Sequence, residues 1–209
     1  MNVTAASWNA TWQALGAASG DDALFNDLVA RYSEKHRHYH TLQHLREAFE
    51  QFTAARDDAK RPAEIELALW FHDAIYDVHR DDNEERSADM AHACVLKAGL
   101  PKDVADRVHT LIMATCHDAP PGDADAQLLV DADLSILGAE PARFDESDEQ
   151  IRAEFAHVPE AQFREGRKRV LGGFLARERL YCTDRFHAKY EQQARANLRR
   201  SLARLQAAG

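Results

Sequence analysis

Cysteine is scarce in this sequence, and its few cysteines follow no pattern. Cys94, Cys116 and Cys182 are far apart, and no two of them form a CxxC pair. An odd number of cysteines without that spacing argues against a disulfide framework and is typical of reduced thiols in a cytosolic protein. We therefore predict a cytoplasmic protein in which all three cysteines are small buried side chains rather than reactive groups.

Long apolar runs are absent as well. No stretch approaches the roughly 18 apolar residues that a membrane helix needs. Residues 1–18 lack a basic region followed by an apolar stretch, which is the pattern of a secretory signal. The sequence therefore predicts neither membrane insertion nor export.

Positive charge is in deficit. The chain has 26 Lys and Arg against 35 Asp and Glu, a formal net charge of −9. Affinity for a nucleic-acid backbone depends on many Lys and Arg contacts, so this balance disfavours a polymeric nucleic acid as partner or substrate. A few local basic residues and a metal ion can still bind a small phosphorylated metabolite in a cleft. The net charge therefore argues against a large polyanionic substrate but not against a small phosphorylated one.

The composition that remains is that of a globular domain. Hydrophobic residues make up 45% and charged residues 29% of the 209 residues, which is too apolar for a disordered chain. This length suits one well-packed core better than two, so we predict that residues 1–209 form a single domain that folds without a partner. No oligomeric state is predicted.

Nearly every segment has helical rather than strand periodicity and is rich in good helix formers. The predicted fold class is therefore all-α, a helical bundle. Expected helices lie near Thr4–Leu15 and Asp22–Lys35. A long helix with Leu42, Leu45, Phe49 and Phe52 on one face ends at the polar run 57–61, and another begins at Pro62. The stretch QLLVDADLSILG is expected to be an apolar helix, and three helices are expected in the Arg-rich segment 141–209, with a turn around Leu180–Asp184.

Four short stretches combine metal-binding residue types with apolar neighbours. They are Tyr39–His44 (YHTLQH), Trp70–Asp77 (WFHDAIYD), Ala114–Asp118 (ATCHD) and Leu128–Gly138 (LLVDADLSILG). In the first stretch His40 and His44 are four residues apart, so on a helix they lie on one face and both can reach one cavity. The residues alone leave open which of the two histidines binds a metal.

The carboxylates in these stretches need a compensating charge. Asp73 follows His72 at the end of a very apolar helix, and Asp131 and Asp133 lie within LLVDADLSIL. A carboxylate buried among such neighbours is costly unless a cation or several donors compensate it. Asp131 and Asp133 would be about 200° apart on a helix, so only one of them can face a metal. One divalent ion would then satisfy Asp73 and one of these two carboxylates.

In order, spacing and context, the stretches resemble the HD superfamily of metal-dependent phosphohydrolases, whose pattern is His, then His-Asp, then a distant Asp. The similarity is strongest to a family of short bacterial HD phosphohydrolases with the motifs YHxLxH, WFHDxxYD, NEERSA and DADLxILG. These motifs correspond here to Tyr39–His44, Trp70–Asp77, Asn83–Ala88 and Asp131–Gly138. The resemblance implies a bundle of the HD-domain type with its metal-site core in about residues 31–138, and it covers segment 141–209 less specifically.

The superfamily pattern implies four metal ligands, His44, His72, Asp73 and Asp133. A second similarity, to the YHNxxHA helix of cyclic-nucleotide phosphodiesterases, implies that His44 binds the metal and that His40 is the general acid. The ADLS sequence around Asp133 is similar to the ligand-bearing stretch of those enzymes. Asp133 is therefore preferred to Asp131, which would instead orient a neighbouring group.

Two His and two Asp are a ligand set that suits Mn²⁺, Fe²⁺, Co²⁺, Ni²⁺ or Zn²⁺ without choosing among them. One ion is expected. A second ion is the alternative, because some HD proteins bind two metals through additional histidines, and His109 and His117 lie between the HD pair and the last Asp. We favour His117 as a residue that contacts the substrate, with ligation of a second metal as the alternative.

Further residues are candidates for the chemistry. Asp77 and Glu84 follow the HD pair and are candidate catalytic residues that orient the water or the substrate. Their alternative roles are a turn residue and a partner of a helix dipole. His117 aside, the candidate substrate-binding residues are Arg167, Lys168 and Arg195, for which a solvated charged helix face is the alternative.

Together these features predict an enzyme that hydrolyses a phosphate ester in a small metabolite, with a nucleotide or nucleoside phosphate as the first expectation. Metal-bound water would attack phosphorus and His40 would protonate the departing alkoxide. A phosphomonoesterase is favoured over a phosphodiesterase. The alternatives are a di-iron oxygenase of HD type and a non-catalytic, metal-stabilised protein that binds or senses a nucleotide.

Overall fold

A computed structural model describes residues 3–207, and within this range the regular secondary structure is helical, without a strand. This confirms the all-α class. The chain divides into two compact units, with the division between Ala132 and Asp133. Within residues 3–207, no helix is long and apolar enough to span a membrane.

In the first unit, the described residues from position 3 onward form seven α-helices and two short 3-10 segments. The helices are α1 (Ala5–Ala14), α2 (Asp22–Arg31), α3 (Leu42–Ala54), α4 (Pro62–Phe71), α5 (Asn83–Lys97), α6 (Lys102–Met113) and α7 (Ala124–Asp133). The last residue of α7, Asp133, is the first beyond the division, so it continues a helix whose other nine residues belong to the first unit. The 3-10 segments are Arg56–Asp58 and Ala114–Cys116.

Helix α4 is the centre of the first unit. It packs against α1, α3, α5 and α6, and every residue from Ala63 to Phe71 is buried. Two of these residues are acidic, and each has a cationic partner: Glu64 pairs with Arg107 at 2.7 Å and Glu66 with Arg56 at 2.9 Å. Buried acidic residues need such cationic partners. With these partners α4 can be buried along its whole length, so that its C-terminal end lies in the interior of the unit.

An aromatic cluster packs beside α4. The ring centroid of Trp8 lies 5.4 Å from those of both Trp12 and Trp70, in edge-to-face contacts. Gly20 allows this packing, because a Cβ atom at that position would lie 2.2 Å from Nε1 of Trp8. Through Trp70 the cluster stabilises the last turn of α4, which directly precedes His72.

The second unit contains the 3-10 segment Leu134–Gly138 and three helices, α8 (Pro141–Glu154), α9 (Glu160–Ala176) and α10 (Asp184–Ala207). The 3-10 segment packs on α10, where Asn197 donates to the carbonyl oxygens of Leu137 and Ala139 at 2.9 and 2.8 Å. The three helices expected in segment 141–209 are therefore present, with a break between Ala176 and Asp184.

Two expected helices differ from those observed. The second helix ends at Arg31 rather than continuing to Lys35, and residues up to Thr41 form turns. The stretch LLVDADLSILG is also not one continuous α-helix, because it changes to 3-10 structure at Leu134. Both breaks lie beside residues with long-range contacts, which outweigh local helix propensity.

Candidate metal centre

The His-Asp pair lies at the C-terminal end of α4. His72 caps the helix, its N–H donates to Ala68 O at 2.9 Å, and only 1% of the residue is exposed. Its Nδ1 lies 2.8 Å from the carbonyl oxygen of Leu69. A carbonyl oxygen only accepts hydrogen bonds, so Nδ1 has the hydrogen, and in the neutral ring Nε2 has the lone pair. The end of the helix thus fixes His72 as a potential metal ligand through Nε2.

His44 comes from the first turn of α3. The hydroxyl of Thr41 caps this helix by accepting from the N–H of Gln43 at 3.2 Å. Leu45 and Phe49 on the same helix are fully buried, and they turn His44 inward, where it is 3% exposed. The Nε2 atoms of His44 and His72 lie 3.1 Å apart.

The carboxylate of Asp73 completes a tight group with the two imidazoles. Its Oδ2 lies 3.1 Å from Nε2 of His72 and 3.4 Å from Nε2 of His44. This Oδ2 is buried and accepts no hydrogen bond from the described residues. With the tautomer that Leu69 imposes on His72, a lone pair on nitrogen faces a carboxylate oxygen. This arrangement is repulsive unless a proton or a metal ion lies between the two atoms.

Asp133 brings a second carboxylate to the histidines. It is half-buried at the end of α7, and one carboxylate oxygen together with one nitrogen each of His44 and His72 forms a group whose atoms lie within 4.8 Å of one another. Asp131, two residues earlier, is completely buried and is not a member of this group. His44, His72 and Asp133 could therefore hold a metal ion, and Asp73 offers a further oxygen beside the two histidines.

The electrostatics of Asp73 show how strongly the site favours the ionised carboxylate. Burial by itself raises the pKa of Asp73. The imidazoles of His72, His40 and His44 outweigh this effect and hold the pKa well below its usual range. The carboxylate is thus charged over the whole physiological range, as a metal ligand must be.

His40 lies beside the group, but not in the way that its spacing predicts. Helix α3 begins at Leu42, so His40 belongs to the turn before the helix, and the expectation that it shares a helix face with His44 is wrong. The two ring centroids are nevertheless 5.9 Å apart. The ring of His40 stacks on Tyr76 at 4.2 Å, which fixes the plane of the imidazole.

Glu84 lies within electrostatic reach of Asp73, His40 and His117. Burial is the main reason that the pKa of Glu84, in the first turn of α5, is raised. The charge of Asp73 raises this pKa further, whereas His117 and His40 lower it. His117 ends a 3-10 turn in the left-handed conformation, with φ of 58°. A non-glycine residue held in that region is uncommon and points to a constrained position.

Asp77 has a structural role in the observed contacts. Its carboxylate accepts from the N–H of His79 at 2.9 Å, and its main chain exchanges two hydrogen bonds with the side chain of Asn83. These contacts close the loop that leads into α5. The turn interpretation of Asp77 accounts for them without a catalytic role, which stays a prediction.

The three basic candidates of the second unit have partners within that unit. Arg167 pairs with Asp148 at 2.5 Å and Lys168 with Glu165 at 3.0 Å. Arg195 pairs with Glu191 and donates to the carbonyl oxygens of residues 175, 177 and 178. Such contacts make Arg195 a clamp between α10 and the end of α9, and substrate binding by these residues stays a prediction.

Tyr32 and Arg37 contact the HD pair directly, although neither was predicted from the sequence to do so. Tyr32 OH accepts from the N–H of Asp73, and Arg37 donates to the carbonyl oxygen of Asp73. Both belong to the segment between α2 and α3, which resembles a polar surface loop. The one signal that could have identified them is an aromatic and an arginine in a segment that already contains His40.

Comparison of the chain with protein-family models, with curated proteins and with solved structures finds no match.

Proposed function

We propose that this protein is a metal-dependent phosphohydrolase of the HD superfamily that hydrolyses a phosphate ester of a small metabolite. A nucleotide or nucleoside phosphate is the first substrate class to test. The observation that carries the proposal is the close approach of the buried imidazoles of His44 and His72, with the Asp73 carboxylate within 3.4 Å of both and one oxygen of Asp133 within 4.8 Å of them. The lone pair of neutral His72 that faces Asp73 needs a proton or a cation between the two atoms, and a divalent metal would serve both histidines and the carboxylate together.

The donor set fits a divalent transition metal. Imidazole nitrogen and carboxylate oxygen suit Mn²⁺, Fe²⁺, Co²⁺, Ni²⁺ and Zn²⁺, and no described residue of the group offers a thiolate. When bound, such a metal would acidify a water molecule and offset the negative charge of a phosphoryl group. Four protein ligands would hold it, His44, His72, Asp73 and Asp133.

The remaining steps belong to side chains around the ligands. His40, whose ring lies 5.9 Å from that of His44 and stacks on Tyr76, would give a proton to the oxygen that leaves phosphorus. Glu84, whose pKa burial raises, would accept a proton from the attacking water or orient it. One group that protonates and one that accepts a proton are what hydrolysis of an ester by water needs.

Two alternatives are less well supported. An HD-type oxygenase needs histidines for a second iron, but His109 contacts Asp89 at 3.3 Å and packs against His92. A non-catalytic nucleotide-binding protein would not need His40 and Glu84 beside the ligands. We therefore place hydrolysis first and binding without turnover second.

The test begins with the metal content of protein purified without chelator, followed by phosphate release from a panel of phosphorylated metabolites with each of the five metals. We expect about one metal ion per chain and release from at least one monoester. Removal of the ion with a chelator should abolish turnover. It should also lower stability by about 2.7 kcal/mol relative to protein with free metal at 100 times Kd.

The alternatives predict different results. A metal-loaded protein that binds nucleotides and releases no phosphate would support the non-catalytic protein. A protein that binds none of the five metals would overturn the proposal. Asp81→Asn, an exposed acidic residue outside the group, is the control for non-specific loss of charge.

A further inference from the structure

Arg37 is a buried arginine at a place where the sequence gives no reason to bury one. It lies in the turns between α2 and α3, 4% of the residue is exposed, and its side chain is fully covered. A buried guanidinium is costly unless its donors are satisfied. Its partners therefore show what it contributes to the fold.

Three of these partners are main-chain carbonyl oxygens at the metal centre. Arg37 Nη1 donates to the carbonyl oxygen of Asp73 at 2.6 Å and to that of His40 at 3.3 Å. Its Nη2 donates to the carbonyl oxygen of Ala74 at 3.1 Å. One guanidinium thus connects the segment that contains the HD pair with the segment that contains the candidate general acid.

The remaining surface of the guanidinium is also occupied. Nε donates to Glu34 at 3.0 Å, and the guanidinium carbon lies 5.3 and 5.4 Å from the ring centroids of Tyr32 and Tyr76. Tyr32 in turn accepts from the N–H of Asp73 and donates to the carbonyl oxygen of Trp70, both at 3.3 Å. Both main-chain polar atoms of Asp73 are therefore held by side chains of the segment after α2.

The position of these contacts matters because α4 ends at Phe71. Beyond a helix end, main-chain carbonyls have no partner in the next turn, and other groups must hold them. A rotation of the main chain at residue 73 would turn the Asp73 carboxylate away from the histidines. The fork of an arginine, which donates along several directions in one plane, can hold two successive carbonyls, whereas an ammonium concentrates its donors at one point.

We propose that Arg37, supported by Tyr32, is the positioning residue of the metal centre. It holds the main chain of Asp73 and Ala74 and sets the separation between Asp73 and His40. This inference rests on the proposed function, because the metal site that Arg37 would position is the one that the proposed hydrolysis requires. It predicts that a change at Arg37 affects both metal binding and proton transfer, although Arg37 touches neither the metal nor the substrate.

The experiment compares wild type with Arg37→Lys and Tyr32→Phe. Arg37→Lys keeps the charge opposite Glu34, and Tyr32→Phe keeps the ring and removes only the hydroxyl. Arg107→Lys is the control for the loss of an arginine fork, since Arg107 also pairs with a carboxylate, that of the buried Glu64, and its hydrogen bonds go to Glu64 and Asp103 rather than to the metal group. Circular dichroism establishes that each variant is folded. The readouts are the affinity for Co²⁺ and the visible absorption spectrum of the bound Co²⁺.

We expect Arg37→Lys to weaken Co²⁺ binding by about 10- to 100-fold, the usual effect of a group that orients a ligand, and to change the Co²⁺ spectrum. Tyr32→Phe should act in the same direction to a smaller extent, and Arg107→Lys should leave affinity and spectrum unchanged. In phosphate release, Arg37→Lys should slow esters with poor leaving groups more than activated aryl phosphates.

The two possible failures are distinguishable. If wild type binds Co²⁺ and both variants bind it with unchanged affinity and spectrum, the role of Arg37 is overturned while the proposed function stands. If Arg107→Lys changes the spectrum as much as Arg37→Lys, general destabilisation is the cause and the role is again overturned. If wild type itself binds no Co²⁺ and none of the other four metals, both proposals fail.

Discussion

Nε2 of His44 and Nε2 of His72 lie 3.1 Å apart, although their residues come from different helices and are 28 positions apart in the sequence. Since the contact of His72 Nδ1 with Leu69 O gives that nitrogen the hydrogen, Nε2 of neutral His72 faces the carboxylate of Asp73 with a lone pair, and a proton or an ion can occupy the space between them. A proton and a metal ion would thus compete for the same place. Metal binding at this point should therefore release protons.

Removal of the Asp73 carboxylate should release the metal. We expect Asp73→Ala to remain helical and to bind the ion more than about 100-fold more weakly, since loss of a ligand should exceed the 10- to 100-fold effect of residues that only orient ligands. Metal content after gel filtration and the far-UV circular dichroism spectrum measure the two effects. Asp77→Ala is the control, because that carboxylate caps a turn. Full metal retention in Asp73→Ala would show that Asp73 is not a ligand.

His40 and His44 should differ when each is replaced by alanine. His44→Ala should lose metal. His40→Ala should keep it and lose about 10²- to 10⁴-fold in turnover of a substrate with a poor leaving group, because general acid catalysis typically contributes that much. An activated aryl phosphate should be affected far less. Equal effects on both substrates would remove His40 from the role of general acid, and loss of metal in His40→Ala alone would exchange the two assignments.

The two carboxylates of α7 should also differ. Asp133→Asn should cut metal occupancy sharply, because an amide oxygen has no full charge to offset the ion. Asp131→Asn should cost no more than about 10- to 100-fold, through the orientation of a neighbouring group. Titration of metal into both variants decides between them. Tighter binding by Asp133→Asn than by Asp131→Asn would identify Asp131 as the ligand.

The raised pKa of Glu84 predicts a pH dependence of the metal-free protein. The folded protein holds the Glu84 proton more tightly than the unfolded chain, mainly because the group is buried. Its contribution to stability is therefore fully present below the unfolded pKa of about 4.3 and is lost as the pH rises through the folded pKa. Relative to wild type, Glu84→Gln should therefore raise the free energy of unfolding of the metal-free protein more at pH 7 than at pH 4, as measured by urea unfolding. Glu85→Gln, at an exposed neighbouring residue, should show no such difference.

Gly20 should be intolerant of even a methyl group. A Cβ atom there would lie 2.2 Å from Nε1 of Trp8 and 2.7 Å from Cδ1 of Trp12, so the indoles must move. We expect Gly20→Ala to lower the free energy of unfolding by about 1–3 kcal/mol, the usual cost of overpacking a core. Gly122→Ala, where no atom lies within 4 Å of the added group, should cost almost nothing. Equal stability of the two variants would contradict the packing around Trp8.

The fold class could be read from the sequence because helical periodicity is a local property, as in α3 with Leu45, Phe49 and Phe52 on one face. The stretches that hold His44, His72 and Asp133 were also identified, because a histidine or carboxylate among apolar neighbours stands out. That the three side chains approach one another could not be derived from local pattern. It depends on how α3 and α7 lie beside the end of α4.

Arg37 shows most clearly what sequence reasoning could not reach. Its acceptors are main-chain oxygens of residues 73 and 74, which have no side-chain identity to match. A lone arginine among polar residues has the pattern of an exposed loop, and helix propensity wrongly extended α2 to Lys35. The long-range contacts of Tyr32 and Arg37 compete with that extension and end the helix at Arg31.

Because Tyr32 and Arg37 hold the main chain of Asp73 rather than its side chain, position 73 would offer the proposed metal an exchangeable donor atom on a fixed backbone. This is a useful starting point for altering metal preference by design. Asp73→Cys would offer sulfur and Asp73→His nitrogen from nearly the same Cβ position, without any need to rebuild the loop.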